Sequence, residues 1–218
     1  MPPGSTRPPS LSDVLVPLRT DRLTAINQAE GRLNRVGTQI VNNYLASNNK
    51  FPGGDCTDVS WGRVTRAAGD AGVLPLFFSD KSSDFGRLWY SRIEPKSRWL
   101  NLPWLYRGQG AAGALAYAGL GGLVDATGIW AGKLQPGAVI QAWKTKGDYY
   151  RVREGEEPQS YGHSFIFLNY VHSNTAITGI CIADQGFLGD RPFVTRNEFA
   201  LWFGANHNSG VRPADLLY

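Results

Sequence analysis

The hydrophobic pattern changes from helical to strand-like along the chain, and this order constrains the fold more than any other feature. Before Asp125, apolar residues recur at helical spacing. After Asp125, short runs of β-branched and aromatic residues alternate with turn-rich or charged stretches, which predicts strands at 139–143, 163–170 and 176–183. Helices followed by an antiparallel sheet are typical of the α+β class.

Two amphipathic helices are predicted in the first part of the chain. The first spans 21–47, with Thr20 or Asp21 as its cap, and its apolar face is formed by Leu23, Ile26, Leu33, Val36, Ile40, Tyr44 and Leu45. A loop rich in Gly, Pro and Asn covers 48–55 and ends at Cys56. The second helix, 57–69, is expected to turn inward Val59, Val64, Ala67 and Ala68.

A third helix, rich in Ala and Gly, is predicted over 111–124. The glycines at 108–113 match a dinucleotide-binding fingerprint, but no hydrophobic strand precedes them, so they are interpreted as the start of this helix. The segment 74–101 is expected to be irregular apart from a short apolar stretch at 74–78.

Composition limits the classes to which the chain can belong. With 218 residues, 42% hydrophobic and 12% aromatic, it can bury one core, so we expect a Pro/Ser-rich leader at 1–19 and one domain at 20–218. The net charge of +4 comes without a long Lys/Arg run, so no nucleic-acid partner is expected. No secretory signal is recognised at the start, and the most apolar window, 111–124, is too short to span a membrane, which predicts synthesis in the cytoplasm and no membrane span.

Cys56 stands where a loop becomes a helix, and this position favours a reactive thiolate. The unpaired amides and aligned peptide dipoles of a helix N-terminus stabilise negative charge. A catalytic thiolate also needs an imidazole, and the chain contains His163, His172 and His207. His163 opens a predicted strand, which can hold its ring in place, whereas His172 is expected at a turn and His207 in a polar loop.

A third polar group normally orients the imidazole in such a site. The strand predicted opposite His163 ends in Asp184 and Gln185, either of which can accept the imidazole N–H. Asp184 is the preferred candidate and Gln185 the alternative. The order along the chain is then cysteine, histidine, acid or amide.

Three segments resemble the papain-like cell-wall amidases and endopeptidases, namely the CHAP and NlpC-type peptidases and the amidase effectors of type VI secretion systems. Gly54-Asp55-Cys56-Thr57-Asp58 is similar to the start of the nucleophile helix in that family. Leu134-Gln135-Pro136-Gly137 and the strand after it are similar to the turn and strand that precede the histidine strand. Gly162-His163-Ser164-Phe165-Ile166, followed by Ala183-Asp184-Gln185, is similar to the histidine strand and its partner.

The resemblance implies a papain-like fold, with helices packed on a small antiparallel sheet, and a cysteine amidase that cleaves amide bonds in peptidoglycan stem peptides or crosslinks. Cys56, His163 and Asp184 are then the catalytic residues, and Asp55, Trp143 and Gln185 are expected to contact the substrate. No cofactor is expected. An antibacterial toxin delivered to the periplasm of a target cell, with a cognate immunity protein as partner, fits this function, and a phage lysin is an alternative.

Other interpretations remain open from the sequence. The same cysteine and histidine would also serve a deamidase, a transglutaminase-like enzyme or a protease acting on a protein substrate, and a non-catalytic binding module could keep the fold. A metal site is not predicted because the His and Cys residues lack zinc-binding spacing. Cys181 alternates within an apolar strand, which predicts a core residue and makes a disulfide with Cys56 unexpected.

Overall fold

The computed structural model describes residues 35–72, 80–187 and 193–199, together with the backbone of a strand at 214–217. Eight helices fall within these residues, two of them described only in part. In chain order they are α1 (described over 35–46), α2 (Cys56–Asp70), α3 (Asp84–Trp89), α4 (Lys96–Leu100), α5 (Gly110–Tyr117), α6 (Ala126–Trp130), α7 (Lys146–Arg153) and α8 (described over 196–199).

The described strands form a sheet in the order β1-β6-β2-β3-β4-β5, and every neighbouring pair is antiparallel. The strands are β1 (Leu123–Val124), β2 (Val139–Trp143), β3 (Gly162–Ser173), β4 (Ala176–Ala183), β5 (Phe193–Thr195) and β6 (Ala214–Leu217). The register places Ala142 of β2 opposite His163 of β3, and Ile166 of β3 opposite Ala183 of β4. The mixed helix and sheet content confirms the predicted α+β class.

The sheet separates two hydrophobic clusters, because successive side chains of a strand point to opposite faces. One face carries Val139, Trp143, Ile166 and Ala183, which pack against residues of α1 to α5 and α7. The other face carries a second set, which packs with Ile129 of α6 and Phe199 of α8; these strand residues are Ile140, Ala142, Phe165, Phe167, Ile180, Ile182 and Val194. His163 belongs to this second face, since it alternates with Phe165.

The three strands predicted from the sequence are found. β2 and β4 have the predicted bounds, and β3 begins one residue before the predicted 163–170 strand and ends three residues after it. The short β1, β5 and β6 were not predicted. Two of them have three residues or fewer, and such runs carry no clear alternation of apolar and polar residues.

The first two predicted helices are confirmed where the structure describes them. α1 covers the end of the predicted 21–47 helix, and the remainder of that prediction, like the leader at 1–19, lies outside the described residues. Ile40 and Tyr44 are buried as expected, but Leu45 is 63% exposed and does not belong to the inward face. α2 begins one residue before the predicted start, so Cys56 is itself the first helical residue.

Three predictions about the middle of the chain are wrong. The helix expected over 111–124 ends at Tyr117, because Gly119 and Gly121 adopt positive φ angles of 71° and 138°, and the chain then enters β1. The irregular segment contains α3 and α4, each of only one or two turns, whereas its apolar stretch at 74–78 lies outside the described residues. The charged stretch after Trp143 is the helix α7.

Candidate active site

Cys56 occupies the first position of α2, and the residue before it caps this helix. The Asp55 carboxylate accepts hydrogen bonds from the backbone amides of Thr57 and Asp58 at 2.8 Å and 3.0 Å. This cap fixes the helix start and thereby the position of the thiol. Asp55, predicted to contact substrate, has this structural task, and its side chain is exposed beside the nucleophile.

The loop before Cys56 depends on two glycines. Gly53 and Gly54 have φ angles of 71° and 89°, and an added Cβ would meet no atom within 4 Å at either position. The left-handed backbone, not lack of space, therefore selects glycine here. The amide of Gly53 donates to the carbonyl oxygen of Gln185 at 2.7 Å, which joins this loop to the segment that follows β4.

The first turns of α2 pack against the start of β3, beyond the point where β4 ends. Ser60 donates from its hydroxyl to the carbonyl oxygen of Ser164 at 3.3 Å, and the backbone amide of Ser164 hydrogen bonds to the Cys56 sulfur. β4 pairs with β3 only from Ile166 onward, so on the side away from β2 the backbone of Ser164 faces the helix and not a strand. This arrangement brings the thiol beside His163.

The imidazole of His163 lies between the Cys56 thiol and the Asp184 carboxylate. Its Nε2 is 3.6 Å from Asp184 Oδ2, and both side chains are almost fully buried, at 3% and 1% exposed. The side chain of Cys56 hydrogen bonds to the same ring. Asp184 directly follows β4 and keeps the alternation of Ile180 and Ile182, which places its carboxylate on the face of the sheet that carries His163.

The electrostatics of the pair favour a thiolate and an imidazolium. Burial acts to raise the pKa of Cys56, but the hydrogen bond and positive charge of His163 prevail and hold that pKa below its ordinary value. Burial acts to lower the pKa of His163, yet Asp184 and the Cys56 sulfur stabilise the imidazolium and hold its pKa above the ordinary value. A lowered thiol pKa and a raised imidazole pKa are the shifts that a thiolate nucleophile and a proton-transfer group require.

Asp184 and Gln185, the two predicted candidates for the third role, occupy different environments. Asp184 Oδ1 accepts the backbone amide of Gly186 at 2.7 Å, so its Oδ2 is turned toward His163. Gln185 contributes its backbone carbonyl to the contact with Gly53, and its side-chain oxygen is buried without a hydrogen-bond partner. The geometry thus favours Asp184 as the group that orients the imidazole.

Trp143, predicted to line the site, lies in the core instead. It is 6% exposed, packs with the cluster on the helical face, and donates from its indole nitrogen to the carbonyl oxygen of Gly108 at 2.6 Å. Trp143 is opposite Gly162, one residue before His163, and strand alternation turns its ring to the face away from the imidazole.

Sequence reasoning missed Arg63, which connects the loop before α2 with the residue that follows β4. Its Nη2 donates to the carbonyl oxygens of Lys50 at 2.8 Å and Asp184 at 3.0 Å, and its guanidinium lies 5.2 Å from the ring centroid of Tyr44. Arg63 follows Cys56 by seven residues, which places both on one side of α2. That spacing was the available signal, although a basic residue on an amphipathic helix is usually solvent-exposed.

Two aromatic side chains beside His163 were also missed. The ring centroid of Phe187 lies 5.0 Å from that of His163, and Tyr161 contacts Phe187 edge-on at 5.8 Å. Both rings are about half exposed, at 46% for Phe187 and 50% for Tyr161. Tyr161 precedes His163 by two residues, and this strand-like spacing could have suggested a shared face.

The remaining Cys and His residues lie elsewhere. Cys181 is a free, half-buried thiol in β4, so it is less buried than the core position predicted for it. Burial raises its pKa. His172 lies near the end of β3 and not in a turn, and His207 is outside the described residues. Within the described ranges, no group of three or more His, Cys, Asp or Glu residues is arranged to hold a metal ion.

Comparison of the chain with protein-family models, with curated proteins and with solved structures gives no match in any of the three. No helix in the described part of the chain is both long and apolar enough to cross a membrane.

Proposed function

We propose that the protein is a cysteine amidase with a papain-like arrangement of catalytic groups, in which Cys56 is the nucleophile, His163 the proton-transfer group and Asp184 the group that orients the imidazole. The observation that carries this proposal is the buried contact of His163 with both the thiol at a helix N-terminus and a carboxylate. A structural cysteine has no need of an imidazole partner that lowers the pKa of its thiol.

In the acylation step, the Cys56 thiolate attacks the carbonyl carbon of the scissile amide and forms a carbon–sulfur bond. The oxygen becomes an oxyanion, which the backbone amide of Cys56 and a neighbouring donor stabilise. Collapse of this intermediate breaks the carbon–nitrogen bond. The imidazolium of His163 gives its proton to the leaving amine, and a thioester with Cys56 remains.

In the deacylation step, neutral His163 takes a proton from water, and the hydroxide attacks the thioester carbon. The carbon–sulfur bond breaks, the acid product leaves, and the thiolate and imidazolium are restored. Asp184 keeps the imidazole in the orientation and tautomer that both steps use, and its charge stabilises the imidazolium.

For the substrate, we propose amide bonds in the stem peptides or crosslinks of bacterial peptidoglycan. Support comes from the three segments that resemble cell-wall amidases, each of which lies at a defined place in the fold. The Gly-Gly-Asp-Cys segment forms the capped start of α2. Gly137, in the Pro-Gly turn before β2, has a φ of 89° and packs directly on Gly37 of α1. The Gly-His segment opens β3 beside the thiol.

Digestion of purified sacculi tests this proposal. We expect the wild-type protein to release new amines and shortened muropeptides, which mass analysis would assign to one bond, and we expect Cys56→Ala to release none. Intact muropeptides with the wild-type protein would reject the cell-wall substrate. Cysteine chemistry on a protein substrate, or a binding module without activity, would then account for the site.

An antibacterial effector, acting in the periplasm of a target cell and held in check by an immunity protein, is the biological role we propose. A Gram-negative host that carries the chain with an added cleavable export signal should lyse, whereas the same host with the chain kept in the cytoplasm should grow. The exported Cys56→Ala variant is the matched control. Growth arrest by the cytoplasmic form alone would favour a toxin that modifies proteins.

A further inference from the structure

Beyond the imidazole of His163, the surface carries two half-exposed aromatic rings and a lysine that the catalytic mechanism does not use. Tyr161 and Phe187 contact each other, Phe187 contacts His163, and the ammonium of Lys144 lies 5.9 Å from the ring centroid of Tyr161. We call these three residues the aromatic-lysine patch. Its position next to a catalytic group suggests that it contacts substrate.

The register of β2 and β3 places this patch on the same face as His163. Ala142 is opposite His163, and the amide of Lys144 donates to the carbonyl oxygen of Tyr161 at 3.2 Å, which continues the same ladder. Since side chains alternate along a strand, Lys144 and Tyr161 share the face of His163. They lie two residues further along, which is about 7 Å in an extended chain.

The chemistry of the proposed reaction decides which part of the substrate meets the patch. This step rests on the proposed function, in which the imidazole protonates the leaving amine. The amine therefore lies at His163, and the residues that follow it in the substrate extend past the imidazole. The distance of about 7 Å along the strands from His163 to Tyr161 and Lys144 matches the length of one or two residues of an extended peptide.

The side chains of the aromatic-lysine patch indicate which substrate residues would follow the scissile amide. Half-exposed rings in contact offer apolar surface to an aliphatic side chain. An exposed ammonium beside them offers a partner for a carboxylate. We propose that Tyr161, Phe187 and Lys144 form a subsite for a short leaving fragment of one or two residues, with an apolar side chain on the rings and a terminal carboxylate at Lys144.

The test uses the dipeptide Leu-Ala as a free acid and as its C-terminal amide, each added to the full chain while iodoacetamide alkylates Cys56. A bound dipeptide shields the thiol, and mass spectrometry follows the labelling. We expect the acid to protect at a concentration about two- to fivefold lower than the amide, the size of an exposed ion pair. Lys144→Gln should remove this difference, whereas Lys146→Gln, whose ammonium lies over Tyr150 in a similar way, should keep it.

A second pair of variants tests the aromatic part. Tyr161→Ala should raise the protecting concentration of both dipeptides about fivefold, because an aromatic contact is lost. Tyr150→Ala is the control, since Tyr150 is 45% exposed and contacts Tyr149 edge-on within α7. Equal protection by acid and amide, including none by either, would overturn the subsite, as would a Tyr161→Ala variant with unchanged protection.

Muropeptide analysis separates this inference from the proposed function. If the protection pattern is found but sacculi stay intact, the subsite stands and the cell-wall activity does not. If sacculi are cleaved without any preference for the free acid, the activity stands and the subsite is rejected.

Discussion

Cys56 and Cys181 are both free and half-buried, yet their surroundings give their thiols opposite properties. Cys56 begins a helix and hydrogen bonds to a histidine, which lowers its pKa. Cys181 lies within β4 between Asn169 and Phe193 of the neighbouring strands, and burial raises its pKa. Burial acts to raise the pKa of both thiols, and only at Cys56 do the neighbouring hydrogen bonds and the imidazole outweigh it.

Removal of each sulfur should give the largest contrast. We expect Cys56→Ala to lower the turnover of sacculi by about a thousandfold or more, because the nucleophile is lost, and Cys181→Ala to change it by less than about twofold. Both variants should keep a thermal midpoint within a few degrees of the wild type, as followed by circular dichroism. An inactive Cys181→Ala protein together with an active Cys56→Ala protein would reverse the assignment.

The two described histidines extend the comparison to the proton-transfer group. His163→Ala should lower kcat by about a hundredfold to ten-thousandfold, the range for loss of a general acid–base group. His172→Ala should have little effect, since its ring contacts Tyr170 near the end of β3 and not the site. Kinetics on the same substrate check both variants. Comparable losses for the two histidines would mean that fold stability, and not proton transfer, is being measured.

Alkylation by iodoacetamide at pH 6 compares the two thiols within one molecule. An ordinary thiol is almost fully protonated at this pH, so a lowered pKa should make Cys56 react at least about tenfold faster than Cys181. The advantage should shrink as the pH rises above 9, because a growing fraction of Cys181, whose pKa is raised, is then ionised. Peptide mapping of the labelled protein gives both rates.

The His163→Ala variant supplies the control for this experiment. Without the imidazolium, burial of Cys56 is opposed only by the hydrogen bonds from Ser164 and Thr57, so its pKa should rise and its labelling rate at pH 6 should fall toward that of Cys181. Fast labelling of Cys56 in this variant would show that the helix N-terminus is sufficient to activate the thiol.

Much of the fold was predictable because the relevant signals are local. The periodicity of Val64, Ala67 and Ala68 predicts α2, and the β-branched and aromatic runs predict β2, β3 and β4. The short helices α3 and α4 were missed because each has too few residues to show a period, and their packing through Phe85, Leu88 and Trp99 is decided by tertiary contacts. The early end of α5 depends on the left-handed conformation of Gly119, which a run of Ala and Gly does not reveal.

In the candidate site too, residues with a local sequence signal were predictable, whereas residues placed by tertiary contacts were not. Cys56 and His163 were identifiable because one follows a Gly-Gly-Asp loop at a helix start and the other opens a strand. Between Asp184 and Gln185 the sequence could not decide, since that choice depends on the register of β4 against β3. Arg63 and Phe187 were missed for the same reason: their roles come from contacts between segments that are far apart in the chain.

Substitution of the third group should give the smallest contrast, between Asp184→Asn and Gln185→Ala. An asparagine has only one side-chain oxygen, which can still accept the imidazole N–H if it gives up the hydrogen bond from the Gly186 amide, so we expect kcat to fall by only about tenfold with little change in KM, the size of one lost hydrogen bond. The lost negative charge should also lower the pKa of His163, because Asp184 helps to raise it. The imidazolium is then lost at a lower pH, so the alkaline limb of the kcat profile should move to lower pH.

Gln185→Ala keeps the backbone carbonyl that accepts the Gly53 amide and should change kcat by less than about twofold. A strong loss in Gln185→Ala, with a silent Asp184→Asn, would assign the orienting role to Gln185.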